Sequence, residues 1–303
     1  MNWCYCASGE FGKRVLKSCI ALGIRPGKVL TLSDRKGGRG FKGVSVPVKS
    51  FCSDEGIWFR EVFGKEELIG VISDFDLCVV CDFGIIFPRE ALNAVKCINI
   101  HPSLLPKWRG PAPIYWTILA GDKKTGASII EMAAKVDSGP ILLREAVEID
   151  YDEDYEQVSS KLADLSARLL GKLLNLPVSE WSFSEQDDSK ASYAGFINKA
   201  MARLDFENDS LDEIYRKIKA FAGSFGAFCF LGKKRFKIWK ASVAFNKSGG
   251  VLGEIVDKDE ESFFVQAKDG LLRVKIAQIE GKKRMKSNEL LMGRLIELGQ
   301  KLT

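Results

Sequence analysis

Short apolar runs with almost no polar alternation recur through the first half of the chain, and no other feature constrains the fold as strongly. Trp3 to Ala7, Lys28 to Leu32, Leu77 to Cys81, Val95 to Ile100 and Ala127 to Met132 are too short for core helices and too uniformly apolar for strands with one wet face. Such strands need cover on both faces. Between the first two runs, Val15, Leu16, Cys19 and Ile20 recur at helical spacing, so the segment reads strand, helix, strand. Residues 1–175 are therefore expected to form an α/β domain: an open, mostly parallel sheet with helices on both faces, Rossmann-like. Tyr155, Val158, Leu162, Leu165, Leu169 and Leu173 repeat every three or four residues and predict one long amphipathic helix closing that domain.

Beyond Leu176-Pro177 the pattern dissolves into Pro, Ser, Asp and Glu, including Gln186-Asp187-Asp188-Ser189, so residues 176–204 read as a linker. A helix is expected over about Leu211 to Ala222. Short strand-like runs follow at Ala227 to Leu231, Phe236 to Trp239, Gly253 to Val256, Phe263 to Gln266 and Leu271 to Ala277. Turn signals at Gly232-Lys233-Lys234, Ser248-Gly249-Gly250 and Lys268-Asp269-Gly270 separate them, which predicts a small antiparallel, OB-like β-barrel over residues 205–303.

At 303 residues the chain has about two domains' worth of sequence, and no apolar stretch approaches the roughly 18 residues of a membrane span. Met1-Asn2-Trp3-Cys4-Tyr5-Cys6-Ala7 offers neither a basic leader nor a long apolar segment, so the expected compartment is the cytoplasm. The eight cysteines lie in apolar surroundings and are expected to be free thiols. Cys78 and Cys81 form a C-x-x-C, but residues three apart on a strand face opposite ways; with one histidine in the chain, no metal is expected. The net charge is +5, and the excess belongs to the C-terminal third: residues 204–303 hold 19 basic against 14 acidic side chains, while the rest is balanced. Such asymmetry fits a polyanionic partner as well as a solvated basic face.

The chemistry concentrates at Asn99-Ile100-His101-Pro102-Ser103-Leu104-Leu105-Pro106-Lys107-Trp108-Arg109-Gly110-Pro111-Ala112-Pro113, where four of nine prolines fall within twelve residues and stiffen a loop after a strand. Ligands of open α/β sheets bind outside the carboxyl ends of the strands, where Asn99 and His101 stand. Two residues apart on extended backbone, their side chains share a side, and an amide with an imidazole can hold a developing oxyanion. A lone histidine can equally be structural. Downstream, Asp137 in Val136-Asp137-Ser138-Gly139-Pro140 could align His101 or be an ordinary turn aspartate.

The run from Asn99 to Ile114, with Ala120-Gly121-Asp122, Thr125-Gly126 and Asp137-Ser138-Gly139 downstream, resembles the signature of 10-formyltetrahydrofolate-dependent formyltransferases. The resemblance implies Asn99, His101 and Asp137 as a catalytic triad. It also implies folate contacts from Ser103, Leu104, Leu105 and Pro106, and from Phe83, Gly84 and Ile85 in the Phe83 to Pro88 loop.

Within the superfamily the rest of the chain is similar to the methionyl-tRNA formyltransferase family. Asp34 to Gly40 with Pro47-Val48-Lys49 looks like its tRNA-facing loop, and Lys237 to Ala241, Gly281 to Met285 and Leu290 to Gly293 look like its C-terminal barrel. That resemblance implies nucleic-acid contacts from Arg35, Lys36, Arg39, Lys42, Lys233, Lys234, Arg235, Lys282, Lys283 and Arg284. Residues 35–49 carry five basic and no acidic side chains and residues 233–247 carry six and none, as contact with a polyphosphate requires. The sequence departs from that family's pattern at Lys199-Ala200-Met201 and at Phe221 to Gly226.

The implied partners are initiator methionyl-tRNA and 10-formyltetrahydrofolate as co-substrate, without a metal or a membrane, and the chain is expected to act as a monomer. Rival readings are a formyltransferase for a nucleotide-linked amino sugar, a 10-formyltetrahydrofolate hydrolase, and a noncatalytic RNA-binding protein on the same fold.

Overall fold

A computed structural model describes residues 1–34, 45–244 and 249–303. In chain order the first elements are β1 (Trp3–Cys6), α1 (Glu10–Ala21), β2 (Lys28–Leu32), α2 (Pro47–Asp54), β3 (Phe59–Val62), α3 (Lys65–Ile72), β4 (Leu77–Val80), α4 (Arg89–Ala94) and β5 (Lys96–His101). There follow α5 (Pro113–Ala120), β6 (Lys124–Glu131), β7 (Ile141–Glu148), α6 (Tyr155–Leu174) and α7 (Leu211–Phe221). The last are β8 (Ala227–Leu231), β9 (Lys234–Ala244), β10 (Ile255–Lys258), β11 (Phe263–Ala267), β12 (Gly270–Ile279), β13 (Met285–Lys286) and α8 (Ser287–Met292). They divide between two compact units, one of residues 1–113, 124–148 and 159–195 and the other of residues 114–123, 149–158 and 196–303.

The first unit is built on a seven-stranded sheet in the order β3-β2-β1-β4-β5-β6-β7. Strands β1 to β5 are parallel, as the unbroken apolar runs predict. The Ala127 to Met132 run differs from expectation: β6 pairs antiparallel with β5, and β7 antiparallel with β6. Residues from β6 to β7 form a hairpin-like excursion with no helix between them, so the chain needs no crossover there. The sequence order reverses between β1 and β4. There the Asp82 carboxylate accepts the backbone N–H groups of Phe11 and Gly12 at the start of α1, satisfying donors that a helix N-terminus leaves open.

One face of this sheet is covered by a core that includes Cys4, Cys6, Leu30, Leu68, Ile72, Cys78, Phe87 and Cys97. The Sγ atoms of Cys4, Cys6 and Cys78 lie within 4.8 Å of one another, and those of Cys6 and Cys78 are 3.4 Å apart. Cys81 instead stands beside Tyr5, so Cys78 and Cys81 do not pair. All eight cysteines are free and buried.

In the second unit, α7 is opened by a capping box in which the Ser210 hydroxyl accepts the Glu213 N–H and the Glu213 carboxylate accepts the Ser210 N–H. Its apolar face, Leu211, Ile214 and Ile218, enters a core with Phe236, Ile238, Phe263, Val265 and Leu272 from the strands. The sheet is antiparallel throughout, in the order β10-β11-β12-β9-β8 with β13 added to β12. Register shifts between β9 and β12 bend it. The tail joins its two edges: Thr303 exchanges backbone hydrogen bonds with Phe230 of β8, and the Leu302 N–H donates to Gly253 O before β10. That closure makes a barrel and leaves few strand edges open.

Candidate active site

Strand β5 delivers two polar side chains at its carboxyl end. Asn99 lies opposite Val80 of β4 and Ile130 of β6, and His101 lies opposite Ser128. The third group comes from the turn between β6 and β7, whose backbone is unusual. Asp137 has φ 54°, a left-handed conformation that a short polar side chain tolerates better than a bulky one. A Cβ at Gly139 would stand 1.8 Å from Glu131 O, so only glycine lets the turn fold this tightly onto β6.

The Asp137 carboxylate gathers the site. Its Oδ1 accepts the Asn99 amide N–H at 3.1 Å, and its Oδ2 accepts the Gly110 backbone N–H at 2.8 Å and lies 3.6 Å from His101 Nδ1. The last distance is too long for a hydrogen bond. On the other side of the ring, His101 Nε2 donates to Trp108 O at 2.8 Å. Imidazole and carboxylate are both nearly buried, at 5% and 9% side-chain exposure, in surroundings where water screens their interaction little.

The proline-rich loop supplies Gly110. It is held by residues 192–194, which run alongside it: Arg109 N–H donates to Ser192 O, Ala194 N–H to Arg109 O and Trp108 N–H to the Ser192 hydroxyl. Gly110 has φ 118°, and a Cβ there would meet Ala194 O at 2.7 Å. The Arg109 side chain is 1% exposed, with Gln186 and Asp188 as partners. Its guanidinium holds the Asp188 carboxyl below the usual carboxylate range.

Of the residues expected at a folate site, Ser103 and Leu105 are fully buried and serve the loop itself. The Ser103 hydroxyl donates to Lys107 O at 2.6 Å, and the Ser128 hydroxyl joins the backbone of Ser103 to that of Leu105. Leu104 and Pro106 are half-buried. Phe83, Gly84 and Ile85 follow β4 at the same sheet edge, where Gly84 N–H donates to the Ser8 hydroxyl and the Phe83 and Phe87 rings meet edge to face at 6.2 Å.

The chain matches two family models, formyl transferase over residues 5–174 and formyl transferase, C-terminal domain, over residues 196–295. The chain belongs to the formyl transferase family. Its relatives include the methionyl-tRNA formyltransferase of Thermotoga sp. (strain RQ2), 34% identical over 100% of this chain and 98% of that protein. That of Coxiella burnetii (strain RSA 331 / Henzerling II) is 33% identical over 92% of this chain and 91% of that protein. Among solved structures, HypX from Aquifex aeolicus in complex with tetrahydrofolic acid superposes with TM-score 0.69 at 16% identity, over 99% of this chain and 48% of that one. This chain thus spans about half the length of HypX. WlaRD, a sugar 3N-formyl transferase, superposes with TM-score 0.65 at 18% identity, over 93% of this chain and 99% of that one. Both solved structures share the formyl transferase fold.

The basic residues of this formyl transferase lie apart from the triad in sequence. Lys233 turns between β8 and β9, Lys234 and Arg235 open β9, and Lys282, Lys283 and Arg284 turn between β12 and β13; all six are exposed. The Arg284 guanidinium stacks 3.2 Å over the Trp239 ring, and Lys237 approaches the same ring at 5.3 Å. Partial burial, then the positive charges of Arg235, Arg284 and Lys199, lower the pKa of Lys237. Arg35, Lys36, Arg39 and Lys42 lie outside the described residues. Among the described residues, no helix is long and apolar enough to cross a membrane.

Three groups that hold the site escaped the sequence reading: the Gly110 N–H, the buried Arg109 and Gln186. Gln186 sits in the stretch read as a linker. The one available signal was Arg109 itself, a permanent charge inside a rigid loop that must find acceptors if buried.

Proposed function

We propose that this chain transfers the formyl group of 10-formyltetrahydrofolate to the α-amino group of initiator methionyl-tRNA, in the cytoplasm, for translation initiation. The observation that carries the reading is the convergence of Asn99, His101 and Asp137 within a chain that aligns end to end with methionyl-tRNA formyltransferases. All three side chains come from one chain, so the site needs no second subunit and the enzyme is read as a monomer.

The neutral amine attacks the formyl carbon, and the carbonyl oxygen becomes an oxyanion. Asn99 Nδ2 keeps one N–H beyond the one it gives to Asp137, and that donor receives the oxyanion; the His101 ring joins it when its Nε2–H exchanges Trp108 O for the oxyanion. Asp137 fixes both groups from one carboxylate and helps to relay the amine's proton toward N10, the leaving nitrogen of the folate. The loops at Phe83 to Ile85 and Ser103 to Pro106 flank the carboxyl ends of β4 and β5, which supports them as walls of the folate site. The catalytic part is read as residues 1–175, followed by the 176–204 segment.

Residues 205–303 are read as the tRNA-binding barrel. Partial burial, then the neighbouring cations Arg235, Arg284 and Lys199, disfavour the charge on Lys237, and a phosphate would relieve the repulsion among the four. For methionyl-tRNA, kcat/KM should fall steeply with salt. Replacing Arg284 or Arg235 by alanine should flatten the dependence by about 0.7 to 0.9 log units per decade of salt for each phosphate that the variant no longer neutralises. Steady-state kinetics at several salt concentrations measures this, and slopes equal to wild type in both variants would refute the barrel's role.

A further inference from the structure

Gln186 lies between the two stretches that match the family models, in a segment whose only helices are two short 3-10 turns. Its carboxamide nevertheless makes four hydrogen bonds, the full capacity of that group. Nε2 donates to Asp137 O at 2.9 Å and to Gly139 O at 2.7 Å. Oε1 accepts from Arg109 Nε at 3.1 Å and Nη2 at 2.8 Å. The orientation is fixed by chemistry: a guanidinium has donors only, so the amide oxygen must face Arg109 and the NH2 must face the two carbonyls.

Those carbonyls belong to the turn that presents Asp137. With φ 54° at Asp137 and Gly139 pressed against Glu131 O, the turn has a conformation that its neighbours must impose. One NH2 bridging the carbonyls of residues 137 and 139 sets the direction in which the Asp137 side chain leaves the backbone. That direction brings its two oxygens to Asn99 and to Gly110 N–H.

We propose that Gln186 is a positioning residue for formyl transfer, locking the Asp137 turn through its backbone while buried Arg109 locks Gln186. The inference rests on the reading of Asn99, His101 and Asp137 as the reacting groups. Gln186→Glu separates its two halves. Glutamate still accepts from Arg109, now as an ion pair, so the anchor survives. It offers no donor to the carbonyls of Asp137 and Gly139, so the turn is released.

The test compares Gln186→Glu and Asp137→Asn with wild type in the full-length protein, measuring kcat, KM for both substrates and the unfolding temperature. Gln186→Glu should stay folded, unfolding somewhat below the wild-type temperature for the two lost hydrogen bonds, and keep both KM values, yet lose about tenfold or more in kcat, because small misplacements of a reacting group carry costs of that order. If Asp137→Asn is inactive and Gln186→Glu turns over like wild type, the positioning role is overturned and the triad stands. Should Asp137→Asn be active, the triad reading itself fails and this inference with it. If Gln186→Glu does not fold, Gln186→Met, which removes the donor without adding charge, is scored the same way.

Discussion

Replacing Asn99 or His101 with alanine should lower formyl transfer by about 100-fold or more in a protein that stays folded. The size follows from what each side chain offers. A donor aimed at a developing oxyanion in a dry site is worth far more in the transition state than in the ground state, so its loss falls on kcat. Asn99 sits in register between two neighbouring strands, and its backbone hydrogen bonds do not depend on its side chain. His101 is 4% exposed, and its ring bonds to a loop carbonyl, so removing it opens space at the sheet edge without unpairing β5. Circular dichroism establishes the fold of each variant, and single-turnover formylation reads the chemical step. A folded His101→Ala enzyme with near wild-type kcat contradicts its place at the oxyanion.

Asp137→Asn has an effect of similar size, again about 100-fold or more, by a different route. The carboxylate accepts on both oxygens, from Asn99 on one and from Gly110 N–H on the other. An amide has only one oxygen, and the Gly110 N–H, being backbone, cannot turn away. The amide introduced by the substitution must therefore point its oxygen at Gly110 and its NH2 at Asn99. Two NH2 groups then face each other, and Asn99 flips to present its oxygen. The donor meant for the oxyanion is carried off with the flip. The paired exchange Asn99→Asp with Asp137→Asn sharpens the test: it keeps the matched hydrogen bond that the flip makes but removes the second donor of residue 99 altogether. The double variant should be about as thermally stable as Asp137→Asn and remain inactive. Recovery of activity in the double variant would show that residue 99 need not donate to the oxyanion.

Much of the fold was legible because burial leaves a simple trace. The strands at Leu77 and Lys96 and the helix Tyr155–Leu174 follow from apolar runs and spacing, and Ala227–Leu231 has the bounds expected. Pairing direction was not legible. Gly126 to Ile130 of β6 are buried as completely as β1 and β4, so β6 reads as one more parallel strand, although its neighbours run antiparallel to it. β3 carries Arg60 and Glu61 on a four-residue edge and leaves too little apolar signal to be noticed.

The site divides in the same way. Asn99 and His101 are two residues apart on one strand, so geometry alone puts them together. Asp137 is 38 residues from Asn99, and in the sequence only the resemblance links the two. Gln186 is 49 residues from Asp137, in a polar run whose hydrogen bonds go to loop carbonyls and a buried arginine. Such a run has no hydrophobic period, and without its partners it has the composition of a linker. Arg109 is a residue type found mostly at surfaces, and only the fold shows that it is enclosed.

The identity of the formyl acceptor is open to one direct assay. The purified full-length protein is given 10-formyltetrahydrofolate together with methionyl-tRNA, a nucleotide-linked amino sugar, or neither acceptor, and the fate of the formyl group is followed. The expected product is formylmethionyl-tRNA, with no formylated sugar, little formate in the absence of an acceptor, and loss of the product with His101→Ala. Formyl transfer to the sugar nucleotide or to water, with methionyl-tRNA left unformylated, would contradict the proposed function.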